Sequence, residues 1–132
     1  MNQKEITYSD FYELIFKVLP DFREMKVFEQ HKNELNDDYI GMLICNELAN
    51  KMMKETELGN KTISNKLLEL IEEILVKHPD SIISSLIGTE FIVSILEYPM
   101  KKELKINLLK QMKKETIKSY KIAKQGYKEV FL

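Results

Sequence analysis

Few residues in this sequence are able to do chemistry. Cys45, His31 and His78 are its only thiol and imidazole side chains. A structural zinc site needs such groups, or carboxylates beside them, clustered at short fixed spacings. The two histidines stand far apart and neither belongs to a His-x-x-x-His pattern. Asp37-Asp38 is the carboxylate pair nearest to His31. No metal site is therefore expected. A cysteine nucleophile needs a neighbouring base and an oxyanion hole. Cys45 instead sits in Leu43-Ile44-Cys45-Asn46, which reads as the flank of a helix. There a free cysteine behaves as a small buried hydrophobe. The chain has no Walker loop, no Gly-x-Gly-x-x-Gly and no Gly-x-Ser-x-Gly. Neither an enzyme nor a bound cofactor is expected.

The charged residues carry more information. Residues 1–97 hold a net charge of -8 and residues 98–132 a net charge of +7, which leaves -1 for the chain. Glu69, Glu72 and Glu73 fall on the polar side of one amphipathic segment, and Asp37-Asp38 stands before another. Acidic groups so placed can pair with a basic partner and speed its capture, so these five are the candidate partner-binding residues. They are equally what a solvated helix face and a good N-cap look like. The basic counterpart is the run Lys110, Lys113, Lys114, Lys118, Lys121, Lys124 and Lys128, with Tyr120, Tyr127 and Phe131 interleaved. Lysines can neutralise phosphates and aromatic rings can stack on bases. The segment has no arginine, the usual reader of bases and phosphates. Nucleic-acid binding through Lys113, Lys114, Lys118, Lys121 and Lys124 is thus the alternative reading. In the competing view, Ile117 and Tyr120 form the core-facing edge of a basic helix packed on an acidic body.

The elements that must position these groups are helices. Thr7-x-x-Asp10 resembles a capping box, followed by Phe11, Leu14, Ile15, Val18 and Leu19 at helical spacing. Pro20 interrupts the chain, and Phe22, Met25 and Phe28 mark a short second helix ending near His31 to Asn33. Asp37 and Asp38 suit the start of a third, with Ile40, Leu43, Ile44, Leu48 and Met52 on it. Gly59 is a natural helix end. In the fourth helix Leu67, Ile71, Ile74 and Leu75 oppose the acidic side. His78 suits its end, where a cation complements the dipole, and Pro79 stops it. Asp80 or Ser81 caps a fifth helix, apolar almost all round from Ile82 to Leu96, which predicts burial between neighbours. Leu104, Leu108, Leu109 and Met112 mark a sixth. Ile117, Tyr120 and Ile122 mark a seventh, closing near Gln125 and Gly126.

This pattern predicts an all-α fold of six to seven helices, built as stacked α-hairpins that are HEAT-like in part, around a buried central helix. One domain covers residues 1–132, with a core over about 7–125 and a short tail over 126–132. A single cysteine, a polar start and no apolar stretch long enough for a bilayer point to the cytoplasm and to no membrane contact.

Leu19-Pro20-Asp21-Phe22 resembles the Leu-Pro-acid-Phe motif of a bacterial family of small helical proteins found at polymorphic-toxin loci and regarded as immunity proteins. Leu68-Glu69-Leu70-Ile71-Glu72 and Ile87-Gly88-Thr89-Glu90-Phe91-Ile92 are similar to its central helices. Glu115-Thr116-Ile117-Lys118-Ser119-Tyr120 is similar to its C-terminal motif. The resemblance spans residues 9–125. Lys113-Lys114 stand where that family often has Gly-Pro, which leaves room for one continuous helix across this point. The resemblance implies an immunity protein that occludes a cognate protein toxin, such as a nuclease or a nucleotide-targeting enzyme. A phage or adaptor protein that inhibits another protein is the further alternative.

Overall fold

The computed structural model describes residues 5–131, with side chains placed over 5–126. The elements run α1 (Tyr8–Val18), a 3-10 turn (Pro20–Glu24), α2 (Lys26–Gln30), α3 (Asp38–Glu57), α4 (Lys61–Lys77), α5 (Ile82–Leu86), a π turn (Ile87–Phe91), α6 (Ile92–Glu97), α7 (Lys102–Gln111) and α8 (Lys114–Phe131). The backbone stays right-handed helical from Leu86 through Ile92. α5, the π turn and α6 are therefore one helix, and the described residues form seven helices in a compact all-α bundle.

Local chemistry accounts for the helix starts. Thr7 and Asp10 form a reciprocal capping box, each side chain accepting the other's backbone N–H. The Asp37 carboxylate accepts the N–H groups of Tyr39 and Ile40 at 2.8 and 3.3 Å. Ser81 Oγ accepts the Ser84 N–H at 3.1 Å. α3 ends on Gly59, whose φ of 86° only glycine adopts cheaply. The Asn60 N–H reaches the Glu55 carbonyl and the Gly59 N–H the Thr56 carbonyl, the bonding pattern of a Schellman close. The two long helices thus fold back as a hairpin.

α3 is the most deeply buried helix. Ile44, Cys45, Leu48, Ala49, Met52 and Met53 are all fully buried, and α3 meets α4, α5, α6, α7 and the π turn. The helix over residues 82–97, expected to be buried all round, instead carries an open stripe. Ile82 is 52% exposed, and Ser85 and Thr89 are also exposed. Its core side repeats every four residues through Ile83, Ile87, Phe91 and Ile95, each 2% exposed or less. That spacing overshoots the 3.6-residue α turn, and the wider π turn takes up the excess. At the crossing of α1 and α3, Gly41 lies so close to Tyr8 that an added Cβ would sit 2.7 Å from its ring.

Other differences from expectation have local causes. Pro20 opens a separate 3-10 turn, and the extended backbone of Met25 divides it from α2. α7 and α8 are not continuous, because Met112 is extended at the join. α8 does not stop at Gly126 but runs to Phe131, so residues 126–131 belong to a helix rather than to a tail.

Among the described residues one buried side-chain polar atom lacks a hydrogen-bond partner. Tyr12 is 3% exposed and its hydroxyl has no partner among the described residues. Such a group forfeits its hydration without compensation. Tyr12→Phe is expected to raise stability by about 1 kcal/mol, readable as a higher Tm in thermal denaturation.

Candidate interaction surface

The groups singled out for chemistry are mostly engaged in holding the fold. Cys45 is fully buried in α3, and burial pushes its thiol up to about 12, with the Glu90 carboxylate adding to the effect. It is a protonated core residue at neutral pH. Burial also raises the Tyr8 and Tyr12 phenols; in Tyr8 the hydrogen bond to Asp38 adds to this. A group with a raised folded-state pKa contributes fully below its unfolded value and loses that contribution as pH climbs towards the folded one. Thermal scans are therefore expected to show stability falling above about pH 9, by on the order of 2 kcal/mol at pH 10.5 from Cys45 alone. Cys45→Ala should flatten that part of the profile.

His31 pairs with Glu34 across 3.3 Å. His78 closes α4, and its carbonyl accepts the hydroxyls of Ser81 and Ser84 at 2.8 and 2.6 Å. Among the described residues no three His, Cys, Asp or Glu groups converge as a metal would require. No described helix is long and apolar enough to cross a membrane.

The five candidate acidic residues divide between two places. Asp37 caps α3, and Asp38 accepts the Tyr8 hydroxyl at 2.6 Å, which ties the start of α3 to α1. Glu69, Glu72 and Glu73 share a shallow cleft of about 420 Å³ with Val76, Lys77 and Lys113. Glu69 is exposed there, and Glu73 is paired with Lys77 at 2.6 Å. Glu72 is not a presented charge. Its carboxylate accepts the backbone N–H groups of Glu115 and Thr116 at 3.1 and 2.9 Å and the Thr116 hydroxyl at 3.0 Å. A side chain from α4 thus caps α8, where unpaired amides and the positive end of the helix dipole favour an anion. This inter-helix cap was missed in the sequence. Its trace was Thr116, a small polar residue with two donors near a helix start.

The lysines are placed as two groups. Lys110 stands in the last turn of α7, and Lys113 stands in the cleft beside the acidic side chains. Lys114, Lys118, Lys121 and Lys124 are exposed on α8. The first three recur at i, i+4 and i+7 and so share one face. Tyr120 is 5% exposed, and Thr116 is fully buried, which makes theirs the core side of α8. Tyr120 is thus withdrawn from any stacking role. The side chains of Tyr127, Lys128 and Phe131 lie outside the described residues.

Beside the lysines lies a mostly apolar surface feature. Gly88, Thr89 and Val93, from the open stripe of the π-turn helix, form one wall of a trough of about 500 Å³. Ser119, Ile122 and Ala123 of α8 form the other. Ile122 is 66% exposed. Ser119 and Ile122 also line an adjoining cleft with Leu75, Pro79, Ser84, Ser85, Glu115 and Lys118, so the two make a single furrow along α8. Its walls are mostly small side chains, which keep it open between two packed helices.

No protein-family model, no curated protein and no solved structure matches this chain. The furrow and the cleft are therefore read from their own chemistry.

Proposed function

We propose that this chain is a binding protein rather than an enzyme, and that it acts as an immunity protein, neutralising a protein toxin in the cytoplasm by covering a functional surface. The observation that carries the binding reading is the furrow beside α8. An exposed isoleucine over a concave apolar floor, rimmed by charge, has the composition of a protein contact. The toxin as partner rests on the resemblance of the Leu19–Phe22, Leu68–Glu72, Ile87–Ile92 and Glu115–Tyr120 segments to the immunity-like family. Occlusion suits a rigid helical body, because little conformational freedom is lost on docking.

Co-expression with the product of the adjacent gene tests this. Host survival with a co-purifying complex is the expected result. A neighbour that is neither toxic nor bound removes the immunity role.

A second reading is favoured by the regular lysine face of α8. Lys114, Lys118 and Lys121 could track a phosphate backbone, with Lys113 and Lys124 at its ends. Affinity for duplex DNA or RNA falling steeply across a salt series would select that reading over the first.

A further inference from the structure

We propose that the furrow between the π-turn helix and α8 is the seat of an amphipathic helix from a partner protein, with acidic residues flanking its apolar stripe. This deepens the binding reading above and rests on it. Three observations converge on that occupant.

The first is shape. The α8 wall runs through Glu115, Lys118, Ser119, Ile122 and Ala123, spaced i, i+3, i+4, i+7 and i+8. The facing wall runs through Ser85, Gly88, Thr89 and Val93. Each wall is one face of a helix, and the α8 wall is about 12 Å long at 1.5 Å per residue. Two parallel ridges with small residues between them form a groove into which the ridge of a third helix packs. Helix-in-groove recognition reads anchors at this same spacing.

The second is the unmatched apolar surface. Ile122 at 66% and Ile82 at 52% are exposed on the two helices that bound the furrow. An apolar stripe on an incoming helix would remove Ile122 from water.

The third is charge. Lys114, Lys118 and Lys121 share one exposed face of α8, with Lys118 in the furrow wall, and Glu115 is the single acidic side chain between Lys114 and Gly126. Glu115 is partly buried at the Glu72 cap. Of the two acidic residues of the opposite helix, Glu90 acts on Cys45, which places it on the α3 side, and Glu97 is exposed four residues beyond Val93 and does not line the furrow. A partner helix flanked by glutamate or aspartate is attracted by this rim, and one flanked by lysine is repelled. Two copies of this chain paired symmetrically through α8 would bring their lysines together, which disfavours a dimer at this surface.

The test is selection of a displayed library of helical peptides on the intact protein, with the double variant Val93→Glu, Ile122→Glu as the counter-selecting surface. Both positions are at least partly exposed, and circular dichroism establishes that the variant is folded. The expected winners carry an apolar i, i+3/i+4, i+7 stripe flanked by acidic residues. Their affinity should fall about tenfold or more on Ile122→Glu and on Lys118→Glu, Lys121→Glu, and they should shift the amide resonances of Gly88, Val93, Ser119 and Ala123. Winners flanked by basic residues, winners that bind the double variant equally, or no enrichment over it would overturn the assignment. So would sedimentation showing a dimer that Ile122→Glu dissociates, or duplex DNA competing for the same amides. Toxin rescue that survives Ile122→Glu unchanged would remove the furrow and leave the immunity role standing. Helix capture without any rescue would do the reverse.

Discussion

Glu72→Ala is expected to cost about 2–4 kcal/mol, although Glu72 stands in what reads as a solvated acidic face. The loss comes from the far side of the contact. Thr116 is fully buried, and both its N–H and its hydroxyl depend on the Glu72 carboxylate, as does the Glu115 N–H. With the carboxylate gone, the donors of the buried Thr116 lose their acceptor, and an unpaired buried donor costs about 1–3 kcal/mol. In a chain of this length the change corresponds to a fall in Tm of roughly 10 °C. Glu72→Gln keeps one acceptor oxygen and loses the charge, so it should fall between wild type and alanine. Glu69→Ala, one turn away and exposed, should stay within about 0.5 kcal/mol. Chemical denaturation of the three variants settles the matter: equal, small effects would mean that α8 holds its place without the cap.

Phe91→Ala is expected to be the most damaging single truncation, at about 3–5 kcal/mol. Phe91 closes the π turn and is fully buried between Ile87 and Ile95 on the core side of its helix. The π turn meets α3, α5, α6 and α8, so the vacated volume would open where several helices meet and no single neighbour can fill it. Phe91→Leu retains most of the volume and should lose about 1–2 kcal/mol. Urea unfolding monitored by circular dichroism measures both. A small loss for alanine would mean that the helix rewinds to a regular α form and closes the gap.

These two residues show where the sequence is readable and where it is not. Some helix starts are legible because their chemistry is local: Thr7 with Asp10, Asp37 with the two amides that follow it, and the Asp80-Ser81 pair, of which Ser81 holds Ser84. Gly59 was legible as a helix end because only glycine takes its φ cheaply. The all-helical architecture follows from apolar periodicity, which needs no knowledge of partners. Glu72 was not legible, because a carboxylate facing water and one capping a distant helix look alike until the second helix is placed. Both readings satisfy the same amphipathic pattern. The π turn was hidden for a different reason. An apolar residue every fourth position is close to helical spacing, and the accumulated excess shows only over several turns. The division between α7 and α8 goes with the extended Met112 and with the Glu72 cap at the start of α8 rather than with propensity. The furrow itself needs both walls, and the sequence offers them as two separate helices.

The Glu72 cap also bears on the order in which the chain assembles. It joins residues 43 and 44 positions apart, whereas α3 and α4 are linked by the short Leu58–Asn60 turn. Closing the shorter loop costs less chain entropy, so the α3–α4 pair is the natural nucleus and α8 docks after it. Substitutions at Gly59 should then slow refolding, while substitutions at Glu72 should leave the refolding rate nearly unchanged and quicken unfolding. One wall of the furrow would be the last part of the molecule to arrive and the first to leave.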